Sequence, residues 1–381
     1  MELHRRGQPN ASWSSPCCLL LGLILASFSS SPSHCQQARQ HKVDRSSGPA
    51  LDAGVDLARK GKFKEAEEAF EQAVALHPSD PRALTALGQV QDQLGELPES
   101  IETFRKVIEL DPLSADAHVN LGIALGDRAD LAAALQEGLA ATRLAPGSAS
   151  AHFLCGRLLS DLGRREEART EFRKVLDIAP GYAEALNYWA ELEGDEGNRV
   201  AQESLLKRYL KLRPDKATAW VQLGHLLNDE HRESEAIAAW RRALALNPRY
   251  SEAIYSLALA LKRTDPVESK KLIVRIQEVE RDQRTIDQIN LMGNQANAKM
   301  SGADYKGAID DLKNAIVLCG RCELLGTLNK NLGLAYCHAG QLDAGERELR
   351  VAEKLMPDDS SVKAALQTAQ QERQQASGKS Q

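Results

Sequence analysis

Small, apolar and bulky side chains return along this chain in one fixed register. Gly54, Gly88, Gly122, Gly156 and Gly224 each stand 24 residues before a proline. Ala66, Ala134, Ala168 and Ala236 stand 12 before, and Phe70, Phe104, Phe172 and Trp240 stand 8 before. The prolines themselves, Pro78, Pro112, Pro146, Pro180, Pro214 and Pro248, are 34 residues apart each time. A period of this length marks a stacked repeat architecture. Each position has a physical task. A glycine and a facing alanine let two helices approach, and the large ring fills the space that remains between hairpins. Gly61, Gly95, Gly163 and Gly197 lie 17 before the prolines, where a residue able to take positive φ closes the first helix. The proline lacks an N–H and restricts its predecessor, so it ends the second helix.

The register predicts an all-α chain of helix–turn–helix units. They span 47–80, 81–114, 115–148, 149–182, 183–216 and 217–250. The fifth is degenerate, with Ala190 in place of the glycine and Gln202 in place of the alanine. A seventh starts at Ser251 and loses its second half. The array is thus predicted over 47–261, followed by an irregular helical junction over 262–288, its charged stretch Val267 to Asn290 forming a long helix pair. Two more repeats follow at 289–322 and 326–359. A capping helix over 360–375 carries one apolar face made of Val362, Ala365, Leu366 and Ala369, as the end of a stack requires. Residues 376–381 read as a disordered tail.

This pattern closely resembles the tetratricopeptide repeat, best in Ala83 to Pro112, "ALTALGQVQDQLGELPESIETFRKVIELDP". The resemblance implies a superhelical solenoid of about eight or nine repeats that binds proteins or peptides. In the family, the first helix of each repeat lines a concave surface. The matching positions here include Arg82, Gln89, Asp92, Asp116, Asn120, Arg157, Glu184, Asn187, Glu191, His225 and Asn228. Asp127, Asp161, Asp195 and Asp229, again 34 apart, occupy a position where the family often has Lys. They end their helices, where a carboxylate opposes the dipole. Two readings stay open: a stripe that receives a basic peptide, or local pairing with Arg128, Arg164 and Arg232. The Lys/Asn set of peptide-clamp members and the Asn ladder of sugar-transferase solenoids are not matched, since Ala86, Leu154 and Tyr188 interrupt the ladder.

Composition agrees with helices and narrows function. Aromatic residues are 4% of the chain, too few for an ordinary sheet core. The net charge of -5 gives no footprint for nucleic acid. At the start, Arg5 and Arg6 precede the apolar run Cys17 to Phe28 and then small residues to Ser33. That run is short of the ~20 residues a membrane span needs and fits the core of an export signal over 1–33, with a polar linker over 34–46. A lipid anchor at Cys35 and an uncleaved start are the alternatives. No stable membrane span is expected after cleavage.

Chemistry is sparse. No phosphate loop, HExxH or Gly-x-Ser-x-Gly motif occurs, so no enzyme, metal or cofactor is expected. His118 and His152 read as packing residues rather than a metal pair, and Cys155 as a small buried hydrophobe. Cys319 and Cys322 read first as a structural disulfide, which export permits, with free thiols, a redox dithiol or a metal site as alternatives. The expected function is an exported protein- or peptide-binding adaptor. A structural or oligomerisation module and a thiol–disulfide protein are the alternatives; oligomeric state is left open.

Overall fold

The structure, a computed structural model, describes residues 48–378. The expected leader, the expected linker and residues 379–381 of the expected tail lie outside the described residues. The described chain is an all-α helical-repeat solenoid fold, divided into two units at Ala219 and Trp220.

The first unit is built from α1 (Gly48–Arg59), α2 (Phe63–Leu76), α3 (Pro81–Leu94), α4 (Leu97–Leu110), α5 (Ala115–Asp127), α6 (Leu131–Leu144), α7 (Ala149–Asp161), α8 (Arg165–Ile178), α9 (Ala183–Asp195) and α10 (Arg199–Leu212). Each odd-numbered helix packs on the next to make a hairpin, and successive hairpins stack. Each second helix ends two residues before its proline, as Leu76 does before Pro78 and Leu110 before Pro112. Asp80, Ser114 and Ser148 cap the starts of α3, α5 and α7 by accepting backbone N–H groups through their side chains.

The hairpins close over the glycines. A methyl group built on Gly88 would lie 2.8 Å from the Phe104 ring, and one on Gly156 would lie 2.8 Å from the Phe172 ring. Phe104 and Phe172 are almost wholly buried. The third hairpin has Gly138 where its neighbours have phenylalanine. Leu154 and Cys155 of the following hairpin fill the space, their atoms lying 2.7 Å and 2.9 Å from methyls built on Gly122 and Gly138. Buried polar groups reinforce the frame. His118 Nδ1 lies 2.6 Å from Glu137 and His152 Nδ1 lies 2.5 Å from Glu171, each tying a first helix to its second. Glu193 collects Arg169, Trp189 and Asn198 at 2.7 to 2.8 Å, and Arg169 also bonds Glu196.

The second unit begins within α11 (Ala217–Asp229) and continues through α12 (Glu233–Leu246), α13 (Ser251–Thr264), α14 (Pro266–Ser301), α15 (Tyr305–Cys319), α16 (Leu325–His338), α17 (Leu342–Leu355) and α18 (Ser360–Gly378). Here the sequence reading of an irregular junction with a helix pair needs correction. Residues 266–301 form one helix of 36 residues. The physical reason lies in the register: the next proline would fall at 282, where Asp282 stands. With nothing to stop it, the second helix of one hairpin runs on as the first helix of the next. Leu272 is buried toward its N-terminal half, and Ile289 and Ala296 are buried toward its C-terminal half. Arg249 holds Asp282 at 2.8 Å, and Arg275 donates to the Pro248 carbonyl at 2.6 Å. At the end of the stack, Val362, Leu366 and Ala369 of α18 are buried. The buried Glu346 of α17 accepts from Arg350 and pairs with Arg373 of α18, both at 2.6 Å.

Except between α13 and α14, where Asp265 has φ of -140°, the turn inside each hairpin uses one left-handed residue. Gly95 holds it with φ of 78°, and Ala129, His231 and Ala303 hold the same position with φ of 64°, 61° and 58°. A side chain there costs about 1 kcal/mol. Ala129→Gly is therefore expected to stabilise the fold by about 1 kcal/mol. Gly156→Ala, which drives a methyl into the Phe172 ring, is expected to destabilise it by about 1–3 kcal/mol. Denaturant melts of the two variants should move in opposite directions.

Candidate functional site

The side of each first helix turned away from its second helix forms an inner lining. In the first unit it carries the densest set of aromatic and charged side chains. Phe153 on α7 contacts Tyr182 with ring centroids 5.1 Å apart, and meets Tyr188 of α9 edge-on at 5.5 Å. The Arg157 guanidinium lies 4.8 Å from the Tyr188 ring centroid and 5.8 Å from that of Phe153. Arg157 is only 9% exposed. A planar cation on an aromatic face is a favourable arrangement that desolvation strengthens.

Carboxylates surround this cluster. Burial raises the Tyr188 phenol; Arg157 opposes the shift, while Glu191, Asp161 and Asp127 add to it. All three carboxylates therefore act on the same ring. Asp161 keeps exposed surface, yet burial raises its carboxyl and Arg157 pulls it back. Glu191 is held by Asn187, whose Nδ2 donates to Oε1 at 2.7 Å. Asp195 is exposed at the end of α9. Glu184 lies 3.9 Å from Arg213. The arginines considered as local partners of the stripe are engaged elsewhere in this unit: Arg128 pairs with Asp130 at 3.3 Å, and Arg164 pairs with Glu167 at 2.7 Å.

The stripe divides between the units. Asp127, Asp161 and Asp195 belong to the first, with Arg157, Asn187 and Glu191. Asp229 belongs to the second, with His225 and Asn228. Asp229 and Asn228 are exposed. His225 Nε2 lies 3.4 Å from both Glu252 Oε1 and Ser256 Oγ, and its ring meets Trp240 edge-on at 5.6 Å. Sequence reading missed the roles of Phe153, Tyr182 and Tyr188. Their signal was four aromatic residues, Phe172 included, within 36 positions of an aromatic-poor chain.

Further along the lining, α3 buries Gln89 and Asp92, at 7% and 4% exposure. Gln89 Oε1 and Asp92 Oδ1 have no hydrogen-bond partner. The polar groups of α3 that face α4 are satisfied: Thr103 donates to Gln91 Oε1 and Ser100 to the Gly88 carbonyl, each at 2.9 Å. Burial pushes the Asp92 carboxyl up to about 6.

Cys319, the last residue of α15, and Cys322 form a disulfide with Cα atoms 5.2 Å apart. Cys319 packs with Leu312 and Leu328. Cys155 and Cys337 are free thiols, and burial raises both, Cys155 to about 12. Among the described residues no group of three or more His, Cys, Asp or Glu side chains could hold a metal ion. No helix of these residues is long and apolar enough to cross a membrane.

The tetratricopeptide-repeat family pattern matches residues 51–115, 99–149 and 119–183, and again 217–250. The chain is a tetratricopeptide-repeat protein. The solved tetratricopeptide structures it resembles include PilW, described as a widely conserved type IV pilus biogenesis factor. That likeness has 18% identity and a TM-score of 0.51, and covers 57% of this chain and 100% of PilW. PilF of Pseudomonas aeruginosa matches at 19% identity and a TM-score of 0.49, covering 55% of this chain and 96% of that one. A tetratricopeptide repeat protein of Parabacteroides merdae matches at 17% identity and a TM-score of 0.46, covering 77% and 99%. No curated protein matches. The likeness to PilW describes the fold alone, and tetratricopeptide arrays as a class bind proteins or peptides.

The buried Asp92 has a measurable cost. Its folded carboxyl titrates above the usual aspartate range of about 3.9, so the folded state holds the proton more tightly than the unfolded chain does. The cost is full above about pH 6, shrinks progressively as pH falls below that value, and is gone below the unfolded value of about 3.9. Asp92→Asn is expected to raise the melting temperature at pH 7.5, and the gain should shrink toward pH 5. Paired thermal melts at the two pH values check this.

Proposed function

We propose that this tetratricopeptide-repeat protein is an exported, non-catalytic scaffold whose first unit receives a cationic protein or peptide segment along its inner lining. The observation that carries this reading is the cluster around Tyr188. Three carboxylates, Asp127, Asp161 and Glu191, act on one aromatic ring, against the single arginine Arg157 stacked on it. Rings give a guest flat apolar area at low entropic cost, and carboxylates select the sign of its charge. Arg157 already shows the chemistry: a guanidinium fits between the rings and the acids. Asp195 extends the negative lining by one repeat. Export rests on the basic start, the apolar run Cys17 to Phe28 and the small residues after it. An oxidising compartment is one in which the Cys319–Cys322 bond persists.

The peptide Ac-(Arg-Ala)4-NH2 is a suitable probe, with Ac-(Glu-Ala)4-NH2 as its opposite. By calorimetry the basic peptide should bind the leader-free chain and the acidic one should not. Reversing charge at Asp161 and Asp195 to Lys should weaken binding about tenfold or more, and added salt should weaken wild-type binding. Equal affinity of wild type and the double variant would end this reading. Export has its own test. Expressed with its full sequence in a bacterial host, the chain should reach the envelope fraction with an N-terminus starting near Ser29 to His34. An intact Met1 in the cytosol would refute it.

A further inference from the structure

We infer that Gln89 and Asp92 on α3 form a second subsite of the inner lining that takes the guanidinium of an arginine side chain from the bound segment. The inference rests on the cationic-partner reading above and adds a place and a chemical preference to it.

The residues are three apart on one helix, so they share a face one turn apart, with Cβ atoms about 5–6 Å from each other. That face is rotated from the one Gly88 and Gln91 present to α4. Both side chains are more than nine-tenths buried, and each ends in an oxygen without a donor. Burying an acceptor unsatisfied costs on the order of 1–3 kcal/mol, and more for a carboxylate. The contrast within the hairpin is informative. Gln91 and the Gly88 carbonyl on the same helix have donors supplied by Thr103 and Ser100. The chain thus satisfies the buried acceptors between its two helices and leaves the inner pair without partners. The Asp92 carboxyl, held up at about 6, is still largely ionised at neutral pH, so it asks for positive charge as well as for N–H groups.

Two acceptors set apart in this way suit a group that is cationic, planar and rich in donors. A guanidinium has five N–H donors in a fixed fork and can serve both oxygens at once; an ammonium is a point charge that serves one well. Because the oxygens are buried, the group must arrive on a long, thin apolar arm. Ala86, one turn before Gln89, adds only a methyl to the wall. A terminal carboxylate would meet two acceptors and be repelled, which sets this subsite apart from a carboxylate-binding one.

The test uses the same Ac-(Arg-Ala)4-NH2 probe, together with lysine and citrulline versions of it. Wild type should prefer arginine over lysine and lysine over citrulline. Asp92→Asn should lower arginine-peptide affinity about tenfold and raise the melting temperature of the free protein. Gln89→Leu should lower affinity a few-fold and shrink the arginine-over-lysine preference. The arginine preference should be lost in Asp92→Asn, where the lysine peptide should bind nearly as well as the arginine peptide. If Asp92→Asn and Gln89→Leu bind as wild type while the Asp161/Asp195 reversal still weakens binding, the subsite is wrong and the cationic-partner reading stands. If wild type binds none of the basic peptides, both fall. If wild type binds the lysine peptide as tightly as the arginine one, the guanidinium assignment is overturned.

Discussion

The close approach of paired helices over a missing side chain is the constraint on which the rest of the molecule depends. Gly88 and Gly156 admit the Phe104 and Phe172 rings into space that a single methyl would occupy. That contact fixes how far apart the helices of a hairpin lie and how they are turned. It thereby decides which positions of the first helix remain on the inner lining. The third hairpin meets the same demand differently, borrowing Leu154 and Cys155 from its neighbour. Close packing is satisfied in each case, and only the source of the atoms changes.

The inner lining obeys a different rule. Between the helices of several hairpins, polar groups at the seam find partners: His118 with Glu137, His152 with Glu171, Ser100 with a carbonyl. On the lining, carboxylates crowd one tyrosine, and Gln89 and Asp92 are buried with oxygens that no donor reaches. Folding alone would favour removing such groups. Departures from local satisfaction of this kind are where a fold gives up stability for something else.

Much of the fold was legible because its determinants repeat. A proline every 34 residues, with glycine and phenylalanine in step, leaves little freedom in where helices start and stop. The long helix α14 was not legible as one element, because its cause is an omission: no proline or glycine stands near Asp282, and a helix continues unless something ends it. The site was legible in part. The aspartates at one repeat position could be read from spacing alone. The role of Tyr188 could not, because it depends on Arg157 and Phe153 coming from the preceding hairpin. The division of the four aspartates between two units also has no mark in their even spacing.

The shared helix has a consequence for how the second unit comes apart. In a repeat array, neighbouring units are coupled through side-chain packing, and each can fray at its own cost. Across α14 the coupling is also made of main-chain hydrogen bonds, which run without interruption from the hairpin of α13 to that of α15. To melt one side, the chain must create a new helix end in the middle of α14, with unsatisfied carbonyls and amides on either side of it. Two hairpins that would otherwise be separate links therefore behave as a single cooperative block, and the array has one fewer place at which it can be unzipped.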